Sequence, residues 1–81
     1  MDKSIHTKQY RILIGIIREE RESRQITQER LASMLSVQQA VISKIETCER
    51  RIDLIELRQI CLALGVSLAS IINKFEERIS K

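Results

Sequence analysis

The sequence contains no proline, only two glycines and only two aromatic residues among its 81 positions. A sheet-rich domain of this size needs several tight turns, which usually contain glycine or proline. Their scarcity therefore predicts an all-α fold. Because Tyr10 and Phe75 are the only aromatic residues, the core has to consist of interlocking aliphatic side chains. The length allows one domain, which we assign to residues 7–81, after a flexible arm over residues 1–6.

The residues that most enzymes need are also missing. Cys48 and Cys61 are too few for a disulfide scaffold and, together with the single histidine, His6, match no zinc-binding spacing. No nucleophile with a base, metal cluster or glycine-rich phosphate loop can be recognised. We therefore expect a protein without enzymatic activity, cofactor or metal, whose thiols stay reduced in the cytoplasm.

Charge and hydropathy set further limits. The net charge of +3 is compatible with binding to nucleic acid, but it is also common in proteins that do not bind nucleic acid. The first residues lack the apolar core of a signal peptide, and no apolar run approaches the roughly 20 residues that span a bilayer. We expect a soluble protein that does not contact membranes.

Capping residues and apolar spacing predict five helices. Thr7 and Thr27 are hydroxyl caps for helices over about 8–23 and 28–35. A third helix ends near Thr47. Asp53 and Glu56 have the spacing of a capping box for helix 4. Gly65 suits its left-handed end and Ser67 caps helix 5. The predicted buried stripe of helix 4 consists of Leu54, Leu57, Ile60, Cys61 and Leu64.

The connection between helices 2 and 3 is the most informative feature. It contains only Ser36, Val37 and, depending on where helix 3 begins, Gln38. Two short helices joined by so short a turn cross steeply, which leaves one face of the second helix free to project. The major groove of B-DNA admits such a helix and presents a distinct hydrogen-bonding pattern for every base pair. Helix 3 is therefore the predicted reading helix.

The side chains of helix 3 divide into an apolar and a polar set. Val41, Ile42 and Ile45 form the apolar set, and the polar set consists of Gln38, Gln39, Ser43 and Lys44. A glutamine amide matches the paired donor and acceptor of adenine, so Gln39 is the first candidate for base contact. Ala40 can touch a thymine methyl group, and Gln28 at the start of helix 2 is a candidate for phosphate contact.

The segment TQERLASMLSVQQAVISKIETCERRIDLIELRQICLALGVSLASII resembles the lambda-repressor-like, or Xre-type, helix-turn-helix family. The resemblance rests on three separated blocks: TQERLA opens helix 2, VISKIE lies within helix 3 and ICLALGVSL joins helices 4 and 5. It implies a compact five-helix domain, with the helix-turn-helix at helices 2 and 3, that binds DNA.

The resemblance also implies residue roles. The family's base-facing positions are occupied here by Gln38, Gln39, Ala40, Ser43 and Lys44. The positions that lie against the phosphate backbone are occupied by Gln28, Thr47 and Arg50. The family often pairs an arginine near the end of helix 1 with the glutamate that closes helix 3, which implies an ion pair between Arg21 and Glu46.

Three residues depart from the family pattern. Ser36 replaces the usual glycine of the turn, which strains the backbone if this position still requires a left-handed conformation. Cys48 replaces another usual glycine after helix 3, so the loop that follows, with its phosphate contacts, departs from the family pattern. Gln38 replaces the usual Ser or Thr cap of helix 3. Ser36 and Gln39 have the spacing of a capping box that would start helix 3 two residues earlier, so the local rule and the family disagree about this boundary.

The resulting hypothesis is a sequence-specific transcriptional regulator, acting as a repressor or autoregulator. One reading helix contacts few base pairs, so we expect a homodimer on a palindromic operator of double-stranded DNA. Its shared surface is predicted on helix 5, at Leu68, Ile72, Phe75 and Ile79. The alternative is an antitoxin or other protein-binding module that uses the same frame for a partner such as a toxin. The sequence does not choose among phage repressors, restriction-modification controllers and antitoxins.

Overall fold

The computed structural model describes residues 7–80. The predicted arm over residues 1–6 and the last residue lie outside this range. Five helices follow one another: α1 Lys8–Ser23, α2 Gln28–Met34, α3 Gln39–Glu46, α4 Leu54–Leu64 and α5 Leu68–Ile79. No strand occurs among the described residues, so the predicted all-α architecture is confirmed.

Side-chain caps begin four of the five helices. The side chains of Thr7, Thr27, Asp53 and Ser67 each accept a hydrogen bond from the backbone N–H three residues later. Asp53 and Glu56 form a complete capping box, and Gly65 ends α4 at a φ of 78°. These bonds satisfy amides that have no partner inside the helix, which is why the local sequence predicts these boundaries well.

The structure decides where α3 begins. Ser36 has a φ of 57°, and the N–H groups of Ser36 and Val37 bond back to Ser33 and Ala32 of α2. Ser36 therefore ends α2 and cannot adopt the extended conformation of an N-cap. The capping box predicted from Ser36 and Gln39 is wrong. Gln38 takes the cap position, as in the family pattern, but without a side-chain cap bond.

The core is aliphatic, as predicted, and lies between the helices: α2 packs against α3 and α4, and α1 packs against α3 and α5. Its most deeply buried large side chains are Ile14, Ile16, Leu31, Ile42, Ile71 and Cys61. Tyr10 packs beside this core, and its hydroxyl accepts a hydrogen bond from the backbone N–H of Ile52 at 3.1 Å. The pKa of Tyr10 is raised by burial. The bond fixes the α3–α4 connection against α1.

One residue of the predicted buried stripe of α4 is not buried. Leu57, Ile60, Cys61 and Leu64 are buried, but Leu54 is exposed. Leu54 is the first residue of the helix and lies beyond the part of α4 that the other helices cover. Its burial was therefore predicted wrongly.

Helix α5 packs along α1 and is joined to it by ion pairs. Arg78 donates two hydrogen bonds to Glu19, at 2.8 and 3.0 Å. Lys74 pairs with Glu20, which also accepts from Arg24. Within residues 7–80 no single helix is long and apolar enough to cross a membrane, although α4 and α5 reach that length together across a bend of 110°.

Candidate nucleic-acid interface

One face of α3 projects from the protein, and the other enters the core. Ile42 and Ile45 are buried, which fixes the rotation of the helix. Gln38, Gln39, Ala40 and Lys44 are exposed, and Ser43 is half-buried. Four of the five positions predicted to face bases thus lie open on one surface, and Ser43 lies at its edge. Ala40 contributes the only apolar side chain among them.

A chain of hydrogen bonds leads from this surface into the protein. The amide nitrogen of Gln39 donates to the side-chain oxygen of Gln28 at 3.4 Å, which is a long bond. The Gln28 amide donates in turn to the Glu46 carboxylate at 2.9 Å. Gln28 is half-buried between them. The residue predicted to read a base is therefore connected to the residue predicted to hold a phosphate.

The chain ends in a buried ion pair between α1 and α3. The Nε of Arg21 donates to one oxygen of Glu46 at 2.6 Å, and its Nη2 donates to the other at 2.9 Å. Both side chains are more than nine-tenths buried. The hydrogen bonds that Arg21 donates to the Glu46 carboxylate raise the pKa of Arg21 above its already high value. Such two-pronged pairs are geometrically specific, so this pair fixes the end of α3.

Arg21 also organises the connection before α2. Its Nη1 donates to the carbonyl oxygen of Ile26 at 2.6 Å. The neighbouring Gln25 has a φ of 58°, a left-handed conformation that non-glycine residues rarely adopt. One guanidinium of α1 thus connects the α1–α2 loop with the end of α3.

The remaining two residues predicted to contact phosphate already have partners in the protein. The hydroxyl of Thr47 lies 2.6 Å from the Glu49 carboxylate. The Nη2 of Arg50 donates to Glu56 at 2.7 Å, and its Nη1 is buried without a partner among the described residues. To contact a phosphate, each would have to share or exchange its present partner.

Two of these contacts are not apparent from the sequence. The capping box assigns Glu56 only to its own helix, whereas its second oxygen binds Arg50. The contact between Gln28 and Glu46 joins residues 18 positions apart, and no local rule predicts it. No group of three His, Cys, Asp or Glu side chains within the described part of the chain could hold a metal ion.

An exposed polar helix, held by a short turn against a second helix, is the arrangement of a helix-turn-helix motif. A helix-turn-helix family model matches residues 17–71. A solved structure with the same fold is an XRE-family like protein from Pseudomonas syringae pv. tomato str. DC3000, at 36% identity and a TM-score of 0.85. The match covers 94% of this chain and 93% of that one. No curated protein matches the chain.

The chain belongs to the Xre, or lambda-repressor-like, helix-turn-helix family. This confirms the resemblance drawn from the three sequence blocks. The family consists of DNA-binding regulators and is not enzymatic, so the chain is a DNA-binding helix-turn-helix regulator.

Proposed function

We propose that the chain is a sequence-specific transcriptional regulator, a repressor or autoregulator of the cytoplasm, that reads the major groove with α3. Gln39 is the principal base-reading residue, and Gln38, Ala40, Ser43 and Lys44 complete the base-facing surface. Gln28, Thr47 and Arg50 hold the phosphate backbone. The regulator acts as a homodimer on a palindromic operator.

The hydrogen bonds from Gln39 through Gln28 to Glu46 are the observation that carries this proposal. A glutamine that reads a base binds more tightly when its amide is oriented before the DNA arrives, because less side-chain freedom is lost on binding. The anchor of this chain, Glu46, is buried and paired with Arg21, and it holds Gln28 in place beside Gln39. A phosphate bound by Gln28 would strengthen it further.

The composition of the α3 surface favours DNA over a protein partner such as a toxin. Protein interfaces concentrate apolar and aromatic side chains at their centre. The exposed residues of α3 and its N-cap are two glutamines, one lysine and one alanine. Amides and a cation match base edges and phosphates.

The direct test is selection of bound duplexes from a random DNA library by the purified protein at near-physiological salt. We expect a palindrome whose half-sites lie about 34 Å, or one helical turn, apart. Failure of the folded protein to enrich any sequence would reject specific DNA recognition and favour the protein-binding alternative.

Two variants then assign the roles on the enriched duplex. Gln39→Ala should lose about 1 to 3 kcal/mol there and relax the preference for one base pair, whereas Gln28→Ala should weaken binding to enriched and random duplexes alike. Because the two amides are bonded, the losses should not add in the double variant. The matched control is Gln9→Ala, on the exposed first turn of α1. Equal losses on both duplexes for Gln39→Ala would contradict the assignment.

A further inference from the structure

An open groove lies between α1 and the segment that follows α3. Arg11, Gly15 and Arg18 line it on the α1 side, and residues 46–49 line it on the other. Its volume of about 760 Å³ lies within the range of clefts that hold ligands. We call it the α1 groove. One of its walls is Thr47, which is proposed to hold the phosphate backbone, so the groove adjoins the proposed DNA surface.

The α1 groove contains two arginines with unused hydrogen-bond donors. Arg11 and Arg18 are seven residues apart, which places them on one face of α1 and about 10 Å apart along its axis. The exposed side chain of Arg11 makes no hydrogen bond or ion pair within residues 7–80. Only the Nε of Arg18 has a partner there, Glu22 at 3.2 Å. Both side chains of that pair are more than half exposed, so the pair is weak and an anion can replace Glu22.

Gly15 lies between the two arginines, four positions after Arg11 and three before Arg18. Glycine is unfavourable in a helix interior, and nothing in the described chain requires it here, since a Cβ at this position meets no described atom within 4 Å. Glycine does serve where a ligand approaches the backbone closely. The centre of the groove is therefore open, and a group from outside can lie against α1 between the two guanidinium groups.

The charges of the α1 groove favour an anion. Among the residues that line it, the Glu46 carboxylate is already paired with Arg21. The two arginines therefore face a single further acid, Glu49. Guanidinium groups hold phosphate through paired N–H donors. DNA supplies phosphate groups along its whole length, so the groove suits the backbone of a duplex.

Apolar residues that would suit a protein partner lie elsewhere. The apolar side chains that line the α1 groove are buried or half-buried. Of the α5 residues predicted to be shared between two copies, Ile72 is exposed, whereas Leu68, Phe75 and Ile79 are half-buried. The groove therefore lacks the exposed apolar centre of a protein interface.

We propose that the α1 groove holds a phosphate of the DNA backbone, bound by Arg11 and Arg18 over the opening at Gly15. This inference rests on the proposed function and adds α1 to the phosphate contacts assigned there to α2 and to the segment after α3. The backbone of the DNA strand then lies between that segment and α1. Because phosphates carry no sequence information, these contacts strengthen binding to every duplex alike.

Binding of the full chain to a labelled duplex of random sequence, followed by fluorescence anisotropy between about 50 and 200 mM salt, tests the proposal. Each lost phosphate contact should reduce the slope of log K against log salt concentration by about 0.9 and weaken binding about fivefold near 0.15 M salt. We expect both effects for Arg11→Gln and for Arg18→Gln. The matched control is Arg58→Gln, an equal change of charge at an exposed arginine of α4 that does not line the groove. It should change the slope by less than about 0.3.

Gly15→Gln tests the opening without a change of charge. Its longer side chain fills the centre of the groove, so binding to the random duplex should weaken by at least about the fivefold of one phosphate contact. Glutamine is a better helix former than glycine, so Tm should not fall. Circular dichroism verifies that every variant is folded. A loss of affinity without a loss of stability distinguishes an occupied groove from a structural role of Gly15.

Two outcomes overturn this proposal alone. Slopes for Arg11→Gln and Arg18→Gln equal to that of Arg58→Gln would show that no phosphate lies in the groove, and so would wild-type affinity of Gly15→Gln. A palindrome enriched in the duplex selection would still support the proposed function. Conversely, a chain that enriches no palindrome but loses affinity for the random duplex in the groove variants would reject sequence-specific recognition and retain the groove. A folded chain that binds no duplex at all overturns both proposals.

Discussion

Gly15 lies in the middle of α1, where glycine is unfavourable, and its replacement by alanine should stabilise the protein. In a helix interior glycine costs about 0.5 to 1 kcal/mol relative to alanine, because its backbone loses more freedom on folding. A close neighbour would justify this cost, but a Cβ built on Gly15 meets no described atom within 4 Å. The residue instead lines an open groove with Arg11 and Arg18. The added methyl group therefore has room.

The expected gain is about 0.5 to 1 kcal/mol, which for a domain of this size raises Tm by about 2 to 8 °C. Thermal and urea unfolding followed by far-ultraviolet circular dichroism measure both quantities. Gly65→Ala is the matched control: a Cβ there is equally free of neighbours, but φ is 78°. That variant should lose stability, because a left-handed conformation is strained for alanine. If Gly15→Ala lowered Tm, a close contact in solution would have to exist at this groove.

Two further predictions concern charged groups. Glu46→Ala should destabilise the fold by about 3 to 5 kcal/mol, because it removes the carboxylate that pairs with the buried guanidinium of Arg21. Glu19→Ala, at the exposed pair with Arg78, should lose under about 1 kcal/mol, and similar midpoints in urea for the two variants would contradict the bracing role. The hydrogen bond from Arg50 lowers the pKa of Glu56 below its ordinary 4.5, so its contribution is present at neutral pH and is lost as the pH falls through the folded-state pKa. The Tm difference between wild type and Glu56→Gln should therefore shrink below about pH 4.5, and a constant difference would disprove this linkage.

Local rules predicted the helices well, because their signals are local. The caps at Thr7, Thr27, Asp53 and Ser67 each need a side chain and an amide three residues apart. The capping rule gave a wrong start for α3 at Ser36, because this residue could either cap α3 or end α2. The structure uses Ser36 to end α2, because the carbonyls of α2 need partners as much as the amides of α3 do.

Other features depend on tertiary contacts, which the sequence does not specify locally. The periodicity of α4 distinguishes its buried side from its exposed side, but it does not tell how far along the helix the neighbours reach, and Leu54 falls beyond them. Similarly, the family pattern predicted a pair between Arg21 and Glu46. The extension of that pair through Gln28 to Gln39 follows only from the crossing of α2 and α3.

Ser36 and Cys48, with φ values of 57° and 63°, lie shortly before and after α3. Both residues adopt the left-handed backbone conformation of the glycines they replace. The direction in which the chain enters and leaves α3 is therefore determined by these two residues and not by the residues of the helix. The outward-facing residues between them can therefore be replaced without changing the path of the backbone. New specificities should therefore be obtainable by replacing Gln38, Gln39, Ala40 and Lys44 as a block, while both flanking residues and Glu46 are kept.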